Sequence, residues 1–536
     1  MARGEALRYD IASAAGGLRE DGVADILIGV DAGTSVIKSV AFDLEGRQIA
    51  VAATPNRYTT RPDGAAFQSL EETWEDCAKT LRGLAERVPG LAQRTAALGV
   101  TGQGDGTWLV DRANKPVTQA WLWLDGRAGP TVRRLRGAPA DRARYEATGT
   151  GLNVCQQGSQ LAHMKSISPE IVAAADAALH CKDWLYLNLT GVRATDPSEA
   201  CSAFGDFRRR AYDDSVIESL GLSAERRLLP EILDGVATTH PLSAEAAAQT
   251  GLKARTPVSL GYVDVVCTAI GAGILTEGEQ ARCTIIGSTS MHMRACRAED
   301  AYLNDEGTGY TMTLPVPGMI AQMQSTMAAT LNIDWALALA ADLMADMGHT
   351  VAKADLIARI EGWVAKARPG SLLFHPYISE AGERGPFVNN HARAGFNGLS
   401  VSHRFPDLMR GVIEGLSFAA RDCYEAMGPS RSEVRLTGGA GRSQALRAIL
   451  SACLNAPVRV SSREEAGAAG AAMIAACAVG AYADMNAAIA RWVTPELGRA
   501  EAPDPALARI YEGLFPAYLQ ARKALEPVWD RLAEKD

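Results

Sequence analysis

The stretch Ile26-Leu-Ile-Gly-Val-Asp31-Ala-Gly33-Thr34-Ser35 sets a carboxylate, a glycine and two hydroxyls directly behind an apolar run. At such a turn backbone N–H groups can approach an anion closely, because Gly33 has no side chain to block it. Asp31, at the end of the run, offers the hard oxygen ligands that hold a hydrated Mg²⁺ against phosphates. Asp, Gly, Thr and Ser also favour ordinary turns, so a plain β-hairpin accounts for the same residues. Two later stretches extend the pattern. Gly287-Ser288-Thr289-Ser290 is a small hydroxylated turn between two apolar segments, Arg282–Ile286 and Met291–Ala295, and it reads as a second phosphate turn or as another hairpin. Gly438-Gly439-Ala440-Gly441 follows the strand pattern of Glu433–Thr437. It lets a flat ring or a ribose lie against backbone, or it only joins a strand tightly to a helix.

The elements that must carry these turns are legible as short strands and capped helices. Strands are expected at Ile26–Val30, Val36–Phe42 and Gln48–Ala53. A helix over Leu70–Ala85 follows, with Ser69 as N-cap and Glu71 and Glu72 in its first turn. A strand over Ala96–Val100 leads into Gln103-Gly104-Asp105. In the second half Ser443 caps a helix over Gln444–Leu454, a strand covers Pro457–Val460, and an Ala/Gly-rich helix begins near Glu464. Helices of small residues pack closely on sheets. Each half thus opens with strand, turn and strand, which predicts two weakly similar halves facing each other across a cleft.

A chain of 536 residues exceeds one ordinary core, so at least two large domains are expected. The balance of 47% hydrophobic and 22% charged residues is that of a soluble globular protein. The net charge of −8 and the lack of any Lys/Arg block argue against a nucleic-acid binder. Ten cysteines carry no Cys-x-x-Cys spacing, which predicts reduced, buried thiols in a cytoplasmic protein. The histidines show no metal-ligand spacing. No apolar stretch reaches the roughly 20 residues of a membrane span. Residues 1–24 are polar and irregular and read as a disordered N-terminal extension.

With both hydroxylated turns and the Gly438 turn in order, the chain resembles the FGGY carbohydrate kinases of the actin-like ATPase superfamily. Lys182-Asp-Trp-Leu-Tyr, His375-Pro-Tyr-Ile-Ser-Glu-Ala-Gly-Glu-Arg384, and Gly395-Phe-Asn-Gly followed by Asp407–Gly415 resemble further family segments. The resemblance implies an α/β fold of two actin-like ATPase (ribonuclease H-like) domains with a catalytic cleft between them. Residues 25–272 would hold the first phosphate turn and the polyol site, and 273–536 the second turn and the adenosine site. It implies ATP and Mg²⁺ as cofactors, with Asp31 as metal ligand. Gly33, Thr34, Ser35, Gly287, Ser288, Thr289, Gly438, Gly439 and Ala440 would bind the nucleotide. Lys38 beside the first turn ranks below the hydroxyls, as a solvated charge. The resemblance also aligns Asp264, in Gly261-Tyr-Val-Asp264, with the family's catalytic base. A carboxylate that accepts the proton of a sugar hydroxyl activates a poor nucleophile, while the same aspartate could instead cap the helix that follows.

For the acceptor, the resemblance places Gln103, Asp105, Trp123, Asp125 and Asp264 at the substrate. Glycerol kinases have Gln-Arg-Glu and xylulokinases Gln-Met-His where this chain has Gln103-Gly104-Asp105, so Gly104 is expected to leave empty volume. The strings Thr101–Trp108 and Ile378–Gly385 look most like those of the family's erythritol kinases. The implied activity is ATP-dependent phosphorylation of a terminal hydroxyl of a four-carbon polyol. Another polyol or a ketopentose, or a non-catalytic nucleotide-binding regulator on the same frame, is the alternative. The expected partner is a small polyol, without nucleic acid or membrane, and a homodimer is left open.

Overall fold

The computed structural model describes residues 24–276 and 281–534, so the N-terminal extension expected over 1–24 lies, apart from Ala24, outside the described residues. The first half contributes strands β1 (Ile26–Ala32), β2 (Val36–Asp43), β3 (Gln48–Pro55), β4 (Thr95–Gly102), β5 (His240–Pro241) and β6 (Pro257–Leu260). Its principal helices are α1 (Leu70–Arg87), α2 (Cys181–Thr190), α3 (Pro197–Phe204) and α4 (Asp264–Ala272). The second half contributes β7 (Arg282–Ile286), β8 (Ser290–Arg297), β9 (Tyr310–Thr313), β10 (Met319–Thr326), β11 (Val434–Thr437) and β12 (Val458–Val460). Helices α5 (Phe405–Glu425), α6 (Gln444–Leu454), α7 (Ala466–Ala478) and α8 (Pro505–Ala533) complete it.

The two six-stranded sheets repeat one topology. In the first the order is β5-β6-β4-β1-β2-β3, and in the second β9-β10-β8-β7-β11-β12. In each, an opening strand pairs antiparallel with the strand after its turn and parallel with a later strand on its other side. The expected pair of similar halves is therefore present. Ser69 caps α1 by accepting the Glu72 N–H, and Ser443 caps α6 by accepting the Leu446 N–H. All ten cysteines are free thiols, nine of them buried. Among the described residues no helix is long and apolar enough to cross a membrane.

β1 is central and covered on both faces, which is why it reads as an almost unbroken apolar run. Alternation sends Ile26, Ile28 and Val30 into the core beneath α1 and Leu27 into a second core shared between the halves. That shared core joins Leu27, Val40 and Ala97 of the first sheet to Cys283, Met293 and Ala321 of the second, with α4 and α7 among them. The Ala/Gly-rich α7 comes from the second half of the chain, yet it lies on the first half's sheet. Gly29 and Gly99 are register partners on β1 and β4. A Cβ at Gly29 would collide with the Ala468 carbonyl, and one at Gly99 with the Ala471 carbonyl. Gly470 and Gly271 give the same clearance between α7 and α4, against Cys267 and Ala466.

Gly29→Ala should therefore push α7 off the sheet and cost about 1–3 kcal/mol or more. Thermal unfolding should show a clear fall in Tm; a wild-type Tm would refute this account of the packing.

Candidate functional site

β1, β4 and β6 are neighbouring parallel strands, and the ends they share carry the residues singled out in the first half. Asp31 lies near the end of β1, Gln103 and Asp105 just past β4, and Asp264 past β6 as the first residue of α4. The first turn is a hairpin, and its Gly33 N–H is committed to Val36 O at 3.1 Å. Thr34 Oγ1 donates to Gln103 Oε1 at 2.9 Å and accepts from Trp123 Nε1 at 2.8 Å, and Gln103 Nε2 donates to Gln68 Oε1 at 2.7 Å. This chain fixes Gln103 and Trp123 at the wall of a cavity of about 180 Å³ between the halves. Thr34, Gln103, Asp105, Trp123 and Asp264 line it from the first half.

Asp105 is in the left-handed region at φ +54, where only a tightly held non-glycine residue persists. Its N–H donates to Glu199 Oε1 at 3.0 Å. Tyr310 Oη donates to its Oδ2 at 2.8 Å, and Cys155 Sγ lies 3.3 Å from the same oxygen. Burial raises the Asp105 pKa, and those two hydrogen bonds partly offset the rise. Behind it, the fully buried Lys182 ammonium is 2.7 Å from Asp183, 2.8 Å from Asp196 and 2.6 Å from Glu199. His180, Asp183 and Glu199 are spaced as a cation site would be, and the ammonium of Lys182 supplies that cation.

Burial pushes Asp31 up to about 6, with Lys38 pulling it down and Glu465 pushing it up. Asp264 is pushed well above the usual carboxylate range, first by burial and then by the negative charge of Asp31. Its Oδ1 accepts the Val265 N–H at 2.7 Å. Lys38, expected as a solvated charge, instead pairs at 2.9 Å with Glu465, the residue before α7. The small Gly467 allows the start of α7 to press against the Asp31 carboxylate.

In the second half, both turns sit at the ends of the paired parallel strands β7 and β11. Gly287 N–H donates to Thr289 O at 2.9 Å, and Ala329 N–H donates to Ser288 O at 2.6 Å. Thr289 reaches the cavity, while Gly287 and Ser288 are exposed beside it. Gly438 has φ +97, and a Cβ there would strike the Ile286 carbonyl, so this turn lies directly against the end of β7. Gly439 is exposed and Ala440 half-buried next to it, and Ser35 is exposed at the first turn.

Two expectations are corrected. Gly104 leaves no empty volume, because a Cβ there would lie 2.5 Å from Val263 Cγ2 and 3.4 Å from Glu199 Oε1. Asp125 is not among the residues lining the cavity: it is fully buried, its Oδ2 accepts from the Ala66 N–H and the Arg127 guanidinium, and its Oδ1 accepts from the Arg127 N–H and Nε. Arg127 in turn stacks 3.5 Å over Trp121. Tyr310, Gln324 and Arg384 of the second half also line the cavity, and sequence reading assigned them no role. Only Arg384 lay in a segment flagged by motif; Tyr310 and Gln324 carry no local signal.

Comparison with known proteins fits this arrangement. The profile of the FGGY family of carbohydrate kinases, N-terminal domain, matches residues 26–271, and that of its C-terminal domain matches residues 283–479. Erythritol kinase of Brucella abortus (strain 2308) is 63% identical over 96% of this chain and 99% of its own length. L-xylulose/3-keto-L-gulonate kinase of Escherichia coli (strain K12) is 26% identical over 95% of this chain and 98% of its own. Among solved structures, a xylulose kinase from Rhodospirillum rubrum superposes with a TM-score of 0.83 at 24% identity, over 94% of this chain and all of that one. Glycerol kinase of Plasmodium falciparum with ADP gives 0.79 at 17% identity, over 94% of this chain and 99% of that one.

Beside Arg384, the Glu383 side chain is fully buried, and its Oε1 accepts the N–H groups of Met327 and Arg384 at 3.0 and 2.9 Å. Burial pushes its pKa up to about 8 from an ordinary 4.5. The folded chain thus holds a proton that the unfolded chain has lost, so this carboxyl's contribution to stability is present below 4.5 and disappears as pH rises through 8. Glu383→Gln keeps the acceptor oxygen and does not titrate. Its Tm relative to wild type should rise steadily between pH 5 and pH 8.5, as measured by differential scanning fluorimetry. A pH-independent difference would refute the raised pKa.

Proposed function

We propose that this chain, which belongs to the FGGY family of carbohydrate kinases, transfers the terminal phosphoryl group of ATP to a terminal hydroxyl of erythritol. The acceptor assignment rests on the 63% identity, across nearly the whole of both chains, to a relative named for that activity. Residues 25–272 would carry the acceptor site and first phosphate turn, and residues 273–536 the second turn and, at Gly438, Gly439 and Ala440, the adenosine site.

Phosphoryl transfer needs positioning and charge stabilisation more than covalent chemistry. Asp264 lines the cavity, and the Val265 N–H engages Oδ1, which leaves Oδ2 to take the hydroxyl proton. As the proton passes to Asp264, the acceptor oxygen bonds to the γ-phosphorus and the bond to the ADP oxygen breaks. Its burial makes Asp264 a stronger proton acceptor than a solvated carboxylate. Gln103 and Asp105, both with fixed orientations, can receive and donate hydrogen bonds along a row of hydroxyls. Thr34 serves this reading by orienting Gln103 and Trp123, and the turn from Gly33 to Ser35 would face the phosphates.

Asp31 and Asp264 raise a charge problem that a hard divalent cation solves, since the negative charge of one disfavours ionisation of the other. Asp31 would hold Mg²⁺, and when bound the ion supplies positive charge against the phosphate oxygens.

ADP release from erythritol, glycerol, D-xylulose and L-ribulose, compared side by side, tests the acceptor. Erythritol should give the highest kcat/KM by about tenfold or more. A preference for a ketopentose or for glycerol overturns the erythritol assignment. Asp264→Asn keeps the shape of the site and removes the proton acceptor, so turnover should fall about a hundredfold or more. Nucleotide binding, followed by calorimetry, should change little; near-normal turnover would remove Asp264 from the role of base.

A further inference from the structure

The cavity wall from the second half contains a buried hydrogen-bond acceptor with nothing to accept. Gln324, 1% exposed on β10, has its Nε2 committed to Thr308 Oγ1 at 3.3 Å. Its Oε1 is buried without a hydrogen-bond partner. Two glycines make room for the carboxamide. A Cβ at Gly309 would lie 2.5 Å from Nε2, and one at Gly385 would lie 2.7 Å from Oε1. Next to Gly385, the Arg384 guanidinium also lines the cavity and makes neither hydrogen bond nor ion pair among the described residues. Its charge is felt by Asp105 and Cys155, so it stands toward that end of the cavity. A buried acceptor and an uncommitted donor set in one wall are complementary to a vicinal diol, whose hydroxyls both donate and accept.

We propose that Gln324 and Arg384 form a second end of the acceptor site, which binds the hydroxyls that Asp264 does not touch. The inference rests on reading the cavity as the acceptor site. A four-carbon polyol is then held by both halves of the molecule, whereas glycerol, one carbon shorter, leaves Gln324 unsatisfied. The second half therefore reads acceptor length.

Gln324→Leu removes the acceptor atom, and Gln324→Glu keeps Oε1 but gives up the donor to Thr308. In Gln324→Leu the KM for erythritol should rise about tenfold to a hundredfold, with kcat and the glycerol kcat/KM each within about threefold of wild type. Gln324→Glu should restore most of the erythritol KM, and Arg384→Met should repeat the selective loss. ADP affinity by calorimetry and Tm show that each variant is folded. An unchanged erythritol KM in Gln324→Leu, equal losses for the two polyols, or Gln324→Glu behaving as Gln324→Leu overturns the proposal. Wild-type protein that does not phosphorylate erythritol overturns the function reading instead. The comparison then moves to the preferred acceptor and its homologue one carbon shorter, where a loss confined to the longer compound supports the proposal and any other result refutes it.

Discussion

Asp31, Asp105, Glu199 and Asp264 bring four carboxylates into one cleft, and the repulsion among them has to be offset before anything can be bound there. The chain offsets most of it with its own cations. Lys182, fully buried, takes up Glu199 together with Asp183 and Asp196, and the other oxygen of Glu199 is thereby free to hold the Asp105 backbone. Tyr310 and Cys155 share one oxygen of Asp105. Lys38 offsets Asp31 from the side, although it divides its charge with Glu465. Asp264 receives the least help: one backbone N–H, against burial and its acidic neighbours. The uncompensated charge is therefore concentrated at Asp264, where it raises the affinity for a proton, as the proposed role of base requires.

Arranging those charges requires the strand ends to be held in place, and the fold achieves this through missing side chains. Gly29 and Gly99 let the backbone of α7 lie directly against the first sheet, and Gly467 brings its first turn against Asp31. The same helix meets α4, whose first residue is Asp264, at Gly470 and Gly271. Asp31 and Asp264 are thus fixed relative to one another by a helix that belongs to the other half of the sequence.

The local elements were legible because their signals are local. Asp31-Ala-Gly-Thr announces a tight turn, Ser69 and Ser443 announce helix starts, and an Ala/Gly run announces a closely packed helix. What failed to show was what packs against what. Gly104 displays an absent side chain, but nothing nearby in sequence reveals that Val263 occupies the space. Asp125 has the right residue type, yet Arg127 two positions later claims its carboxylate. Lys182 and Asp183 stood out together in a motif, while Asp196 and Glu199 reach that ammonium only when α2 and α3 fold together. Tyr310 meets Asp105 across 205 residues of sequence, and Gln324 joins the same cavity from the neighbouring strand; neither residue type is unusual for a strand.

The placement of α7 also sets a schedule. The first sheet is complete in its strands by Leu260, but the helix that covers one of its faces begins at Ala466. At a ribosomal rate of roughly 5–20 residues per second, the interval between the two is on the order of ten to forty seconds. During that time Leu27, Val40 and Ala97 face water or a chaperone. A chain terminated before Ala466 therefore lacks the helix that covers this face of its first sheet.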